Sequence, residues 1–161
     1  KVKIKSETLM KNKMNKKDAI KSLSLIGDLT NPINNTFSNT EYLKLETYDE
    51  NNNLILTMNY KNNKMIVEQQ VEGNQVKIVY LFNDTNSMSG KSETYINGKL
   101  LSVSIFKNGK MNGVIKMYYE NGKIGAVYNI KDNIQDGEAI EYDEDGNVIR
   151  KVLYKNGEII K

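Results

Sequence analysis

The sequence predicts a mainly β protein: an elongated antiparallel sheet of sequential β-hairpin repeats, with a period near 24 residues and one N-terminal capping helix. Three observations carry this. The stretch Gly113–Gly122 (GVIKMYYENG) recurs 24 residues later as Gly137–Gly146 (GEAIEYDEDG). Phe106-Lys107-Asn108-Gly109 recurs at the same interval as Ile130-Lys131-Asp132-Asn133 and as Tyr154-Lys155-Asn156-Gly157. Segments rich in Val, Ile, Tyr and Thr alternate with clusters of Asn, Gly and Asp, which is a strand–turn signature.

Two parts are expected, an arm, helix and loop over 1–40 and a repeat domain over 41–161. Residues 1–10 alternate weakly, with Val2 and Ile4 between lysines, and fit a short strand or a frayed arm. Asn15 is placed to cap a helix running to Leu29, with Asp18 three residues on and Ala19, Ile20, Leu23 and Ile26 along one face. Gly27 marks its end. Such a helix at the end of a repeat array is expected to cover its first open edge. Thr30–Thr40, with the single proline Pro32, reads as a loop.

Strands are then expected over 41–48, 54–60, 64–72, 75–82, 91–96, 99–106, 114–119, 123–130, 138–142, 148–154 and 158–161. Tyr48–Lys64 aligns without a gap on Tyr142–Glu158, with Asn52 where Gly146 stands and Asn63 where Gly157 stands. Asn is the best substitute for Gly at a left-handed position, so the repeat extends back to this region. Gly90–Tyr95 keeps the Gly-x4-Tyr spacing of Gly113–Tyr118, and residues 65–90 are the most degenerate stretch.

Asn108-Gly109 and Asn156-Gly157 predict two-residue type I′ hairpins, because both central residues of that turn need positive φ. Glu120-Asn121-Gly122 and Asp145-Gly146 suit a longer turn with Gly at a bulge. With no room for crossover helices, the strands must be antiparallel and sequential. Alternation places Ile124, Ala126, Tyr128 and Ile130 on one face, and Gly125, Val127 and Asn129 on the other. In the next copy, Val148, Arg150, Val152 and Tyr154 oppose Ile149, Lys151 and Leu153. Neither face is wholly apolar, which points to a thin sheet with tyrosines stacked along one face from repeat to repeat. Gly113 and Gly137 fall inside strands, where Gly marks a bulge or a closely approaching ring.

Composition excludes several chemistries. The 161 residues contain no Cys, His or Trp. Disulfides, Cys-His dyads, Ser-His-Asp triads and the usual zinc sites are therefore absent. The net charge of +3, from 23 basic and 20 acidic residues, is too small to indicate nucleic acid. Lys1–Leu29 carries eight lysines against three acids, or +5, leaving −2 for the remainder. A solvated basic face explains this, with lipid contact through 1–29 as the less favoured reading. The longest apolar runs fall far short of the ~20 residues that span a bilayer. A start at Lys1 rather than Met leads us to expect that upstream residues were removed, by a signal peptidase or by truncation.

The pattern Gly-x4-Tyr-Tyr-Glu-Asn-Gly followed by an aromatic-Lys-Asn-Gly turn resembles the bacterial variant of the MORN repeat. It is similar to repeats of YwqK-type antitoxins and of exported bacterial repeat proteins. The resemblance covers Gly90–Lys161 well and Tyr42–Lys64 less closely. It implies a twisted ribbon of hairpins acting as a contact module, with no catalytic residues to carry over.

Glu138, Glu141, Asp143, Glu144 and Asp145 form an acidic cluster. Asp132–Gly137 comes nearest to a calcium-loop pattern, but Ile134 occupies its third ligand position. These read as solvated turn acids, so no catalytic, metal-binding or cofactor-binding residue is assigned. The functional expectation is a non-enzymatic protein-interaction or scaffold module, exported to the envelope or beyond. The alternative is a cytoplasmic antitoxin that binds a toxin protein. If a specialised site exists, it is expected where the repeat degenerates, in 65–90 or in the N-terminal helix.

Overall fold

The computed structural model describes residues 3–10 and 40–161, with side chains from Tyr42 onward. The helix expected over Asn15–Leu29 lies outside the described residues, as does the expected loop apart from Thr40. Among the described residues, thirteen strands form one antiparallel sheet. They are β1 (Lys3–Met10), β2 (Thr40–Tyr48), β3 (Leu54–Lys61), β4 (Lys64–Val71), β5 (Asn74–Asp84), β6 (Ser89–Ile96), β7 (Lys99–Lys107), β8 (Lys110–Met111), β9 (Gly113–Tyr118), β10 (Ile124–Lys131), β11 (Ile134–Tyr142), β12 (Val148–Lys155) and β13 (Glu158–Ile159). Each pairs with its sequence neighbours, except that β8 and β9 both lie along β7. Residues 3–10 thus form a strand rather than a frayed arm. It runs from Lys3 opposite Tyr48 to Met10 opposite Thr40.

Turn chemistry explains the topology. Six two-residue turns carry positive φ at both positions: Asn62-Asn63, Glu72-Gly73, Asn97-Gly98, Asn108-Gly109, Asp132-Asn133 and Asn156-Gly157. Three longer loops share a second plan. In each, a residue donates its N–H to the carbonyl four residues on: Asp49 to Asn53, Tyr119 to Lys123 and Asp143 to Asn147, at 2.9 Å. The left-handed residue is Asn52 (φ 63), Gly122 (φ 85) or Gly146 (φ 95), as the alignment of Asn52 with Gly146 required.

The strand leaving each long loop carries a bulge. Tyr48 pairs with Leu54 but Thr47 with Leu56, Tyr118 with Ile124 but Met117 with Ala126, and Tyr142 with Val148 but Glu141 with Arg150. The same step separates Tyr95–Leu100 from Thr94–Ser102. The extra residues are Ile55, Leu101, Gly125 and Ile149, the last three 24 apart. This corrects the face assignment from strict alternation. Ile124 does not share a face with Ala126, nor Val148 with Arg150, because the bulge shifts the side-chain phase by one residue.

The intrastrand glycines divide into two kinds. Gly113 (φ 123) and Gly137 (φ 111) sit at breaks in pairing, as bulges. At Gly113 the break is complete enough to separate β8 from β9. Gly90 pairs regularly with Phe82 on one side and Phe106 on the other. The two rings meet across it, with centroids 5.6 Å apart at 78°.

The core lies on one face of β2–β7. Leu43, Met58, Tyr60, Met65, Phe82, Met88 and Phe106 form a buried cluster, flanked by Leu45, Leu56, Val67 and Tyr80. Ring contacts among the described residues join Tyr60 to Phe82, Tyr80 to Phe82 and Phe106, and Phe82 to Phe106. Among the described residues the ladder is therefore half phenylalanine and lies in β3–β7, not a run of tyrosines through every repeat. The degenerate stretch 65–90 supplies Met65, Val79, Phe82 and Met88 to the interior.

Candidate interaction surface

The sheet consumes most of the polar groups that its sequence displays. Asn97 clasps one residue of the preceding hairpin with two groups. Its N–H donates to the Gln75 carbonyl at 2.9 Å and its Oδ1 accepts the Gln75 N–H at 2.9 Å. Asn133 holds Met111 in the same way, at 2.9 and 2.7 Å. The Gly109 N–H donates to the Met88 carbonyl and the Asn108 N–H to Ser89 Oγ. The Gly157 N–H donates to the Gln135 carbonyl and the Asn156 N–H to Asp136 Oδ2. On the opposite rim, Tyr119 Oη donates to the Tyr142 carbonyl at 2.6 Å and Asn121 Nδ2 to the Glu144 carbonyl at 3.3 Å. Asn and Gly were legible as turn formers. The hairpin-to-hairpin bonding was not, because it joins residues about one repeat apart.

The acids are also committed. Asp143 Oδ1 accepts the N–H groups of Asp145 and Asn147, and its Oδ2 accepts Asn147 Nδ2. Asp49 does the same for Asn51 and Asn53. Hydrogen bonds from the Asn partner hold both carboxyl groups below their ordinary range. Glu138 pairs with Lys151 at 2.8 Å, Glu141 lies 4.0 Å from Arg150, and Asp136 lies 3.6 Å from Lys155. Among the described residues, no three Asp or Glu groups converge in a way that could hold a metal ion.

A small motif missed in the sequence recurs on β2 and β6. Lys44-Leu45-Glu46-Thr47-Tyr48 and Lys91-Ser92-Glu93-Thr94-Tyr95 share a Lys-x-Glu-x-Tyr pattern. In each, Lys pairs with Glu, at 2.8 and 3.2 Å, and the Tyr hydroxyl donates to the other carboxylate oxygen. The period-2 spacing puts all three on one face, so the strand itself builds the triad. The hydrogen bond raises the Tyr48 and Tyr95 hydroxyls above their usual value, and it lowers Glu93. This arrangement opposes acid–base work, since the acid and the phenol each hold the other in its resting state.

A hollow of about 330 Å³ lies where Asn97, Leu100, Leu101 and Tyr118 meet, spanned by the 4.0 Å Lys99–Glu120 pair. It brings together aliphatic walls and one exposed ion pair, with no nucleophile beside a base.

Large apolar side chains are exposed along the whole described sheet, among them Leu54, Ile55, Val71, Ile105, Met111 and Met117, and the most exposed lie near the carboxyl-terminal end. Ile134, Val148, Ile149, Leu153, Ile159 and Ile160 are large apolar side chains exposed on β11–β13 and the residue that follows. Ile149 is 63% and Val148 57% exposed. The bulge at Ile149 brings Val148 round toward the side of Lys151 and Leu153, gathering these groups. Beyond β12, only Glu158 and Ile159 are paired as a strand, opposite Lys155 and Tyr154.

Three segments of the chain, residues 43–62, 111–125 and 135–156, match the MORN repeat variant. The second and third matches begin 24 residues apart, in step with the turn period. Comparison with curated proteins and with solved structures returned no match. MORN repeats generally mediate contact with proteins or membrane lipids. Among the described residues no helix is long and apolar enough to cross a membrane.

Proposed function

We propose that the protein is a non-catalytic interaction module that holds a protein partner on its carboxyl-terminal hairpins. One observation carries this reading. The most exposed large apolar side chains, Val148, Ile149, Ile159 and Ile160, lie on β12–β13 and the residue that follows, whereas many polar groups of the rims and turns are used by the sheet itself. Exposed apolar groups beside a charged one, here Val148 and Leu153 with Lys151 between them on one face, are the usual mark of a protein contact. The near-neutral overall charge of +3 favours a protein over an anionic lipid surface. The test is a photo-crosslinking residue at position 149, with the same residue at exposed Asn51 as control. Crosslinking of a protein at 149 alone, at micromolar concentration and suppressed by Val148→Lys, is expected. Equal labelling at both positions, or labelling of lipid only, overturns the proposal.

Export to the envelope or beyond belongs to the same proposal and is supported by the resemblance to exported repeat proteins. Cell fractionation tests it. Recovery in the cytoplasm together with a toxin enzyme as the crosslinked partner would replace it with the antitoxin reading.

A further inference from the structure

Three tyrosines stand in line on the face opposite the buried cluster. Strand pairing fixes the line. Glu93 lies opposite Val103, Val103 opposite Lys116, Lys116 opposite Val127 and Val127 opposite Ile140. Strands β6, β9 and β11 run in one direction, so the residues two places beyond Glu93, Lys116 and Ile140 form a second row, made of Tyr95, Tyr118 and Tyr142. Gly90 sits between Phe82 and Phe106 in the core row, and Tyr95 stands at an odd offset from it, so the tyrosines share the other face. An aliphatic residue lies opposite each tyrosine on the next strand: Leu100 for Tyr95, Ile124 for Tyr118 and Val148 for Tyr142. The hollow of about 330 Å³ opens in this row, where Leu100 meets Tyr118.

The spacing of the row selects its ligand. Neighbouring strands lie about 4.8 Å apart, so tyrosines on every second strand lie about 9.6 Å apart. A polyproline II helix advances about 3.1 Å per residue with three residues per turn, and so repeats one edge about every 9.3 Å. An extended strand repeats a face about every 6.7 Å and an α-helix turns about every 5.4 Å, and neither keeps step with the row. The chemistry agrees with the spacing. A polyproline II backbone makes no internal hydrogen bonds, so its carbonyls take donors from outside. The hydroxyls of Tyr118 and Tyr142 have no partner among the described residues, whereas Tyr95 gives its own to Glu93. The rings, with Leu100 and Ile124 between them, form the kind of aromatic-lined surface on which proline rings pack. We propose that the row Tyr95–Tyr118–Tyr142 seats a proline-rich segment of a partner protein in the polyproline II conformation. The segment crosses the strands with one turn per tyrosine. Prolines three residues apart face the sheet, and one of them enters the hollow between Leu100 and Tyr118.

The row runs out to Val148, on the surface proposed above to hold a partner, so this docking rests on the interaction reading and names its class of partner. The probe is a fluorescent peptide of four Pro-Gln-Gln units, titrated onto the full chain by anisotropy. Its comparison is a peptide of three Pro-Gln-Gln-Gln units, which has the same length and the wrong spacing. Saturable binding of the first, about tenfold tighter than the second, is expected. Tyr118→Ala should weaken binding about tenfold, and Tyr118→Phe, which keeps the ring and loses the donor, about threefold. Met117→Ala, on the opposite face, should leave binding unchanged. Circular dichroism confirms that each variant is folded, and should Tyr118→Ala not fold, Tyr118→Phe decides. Equal binding of the two peptides, indifference to the Tyr118 variants, or an equal loss in Met117→Ala overturns the proposal. Saturable binding of cellohexaose with none of the peptide also overturns it, since the row would then be a sugar platform. If the peptide fails while position 149 still crosslinks a protein, the row is wrong and the interaction reading stands. If the peptide binds but position 149 labels no protein, the row stands and the contact on the carboxyl-terminal hairpins falls.

Discussion

Replacing Gly90 with alanine tests whether the core is closed as tightly as the register implies. Gly90 has an ordinary strand backbone, so alanine meets no conformational barrier there. The obstacle is space. An added Cβ would lie 2.0 Å from the Leu81 carbonyl oxygen and 2.9 Å from Phe82 Cα, both backbone atoms of the paired strand. Strands β5 and β6 would have to separate locally by about 1 Å to restore ordinary contact distances. Overpacking of this kind costs about 1–3 kcal/mol, and loss of the Phe82–Phe106 edge contact adds about 0.5–1.5 kcal/mol. The reduced backbone entropy of alanine returns about 0.5–1 kcal/mol, leaving a net loss of about 2 kcal/mol. Urea unfolding followed by circular dichroism measures it. Gly98→Ala is the comparison, since its added Cβ meets nothing within 4 Å and its cost comes only from φ +81. A loss below about 0.5 kcal/mol for Gly90→Ala would show that β5 and β6 are not held in this register.

Asp49→Ala and Asp143→Ala each remove a carboxylate that accepts three hydrogen bonds within its loop, and each should lower the urea midpoint; Glu144→Ala, beside Asp143 and exposed, serves as a surface comparison. Stability should be level from about pH 5 to pH 9, because the chain has no histidine to titrate in that window. Hydrogen bonds lower Asp49, Asp84, Glu93, Asp136 and Asp143, so their contribution is present above the unfolded carboxylate range and is lost as pH falls through the folded values. Tyr48 and Tyr95 are raised by bonds to glutamate, and Tyr60, Tyr80 and Tyr128 by burial, so theirs is present below the ordinary phenol range and lost above it. Urea midpoints across pH 2–11 check both limbs, and a slope near pH 7 would contradict the assignment. Amide exchange should be slowest in β3–β7 and fastest in β12–β13, following the buried cluster; uniform protection would indicate a core that extends through the whole sheet.

Most of the architecture was legible because turns in this chain are local events. Asn108-Gly109 and Asn156-Gly157 specify their own φ values, and the identity of Asn52 with Gly146 followed from a gap-free alignment. Bulges were harder to see. Ile55, Leu101 and Ile149 are apolar residues with nothing in their own chemistry to mark an extra position, so strict alternation placed Val148 and Ile124 on the wrong faces. The position of the core was not legible from repeat quality, since Met65, Phe82 and Met88 come from the stretch where the repeat is faintest. The surface was not legible at all, since which apolar residues of β12 stay exposed depends on pairing and on the bulge at Ile149, not on their own chemistry.

The two halves of the sheet divide stability from contact. Each fully buried Leu or Phe contributes about 1.5–3 kcal/mol, and the side chains of that kind lie in β2–β7. Beyond β7, the buried apolar residues among those described are Ala126 and Ala139, whose burial contributes far less. The later hairpins therefore depend on backbone pairing, short turns and the hairpin-to-hairpin bonds from Asn133, Asn156 and Gly157. In a repeat sheet each unit is stabilised mainly by its neighbours, so in β9–β13 these bonds carry more of the stability than buried side chains do.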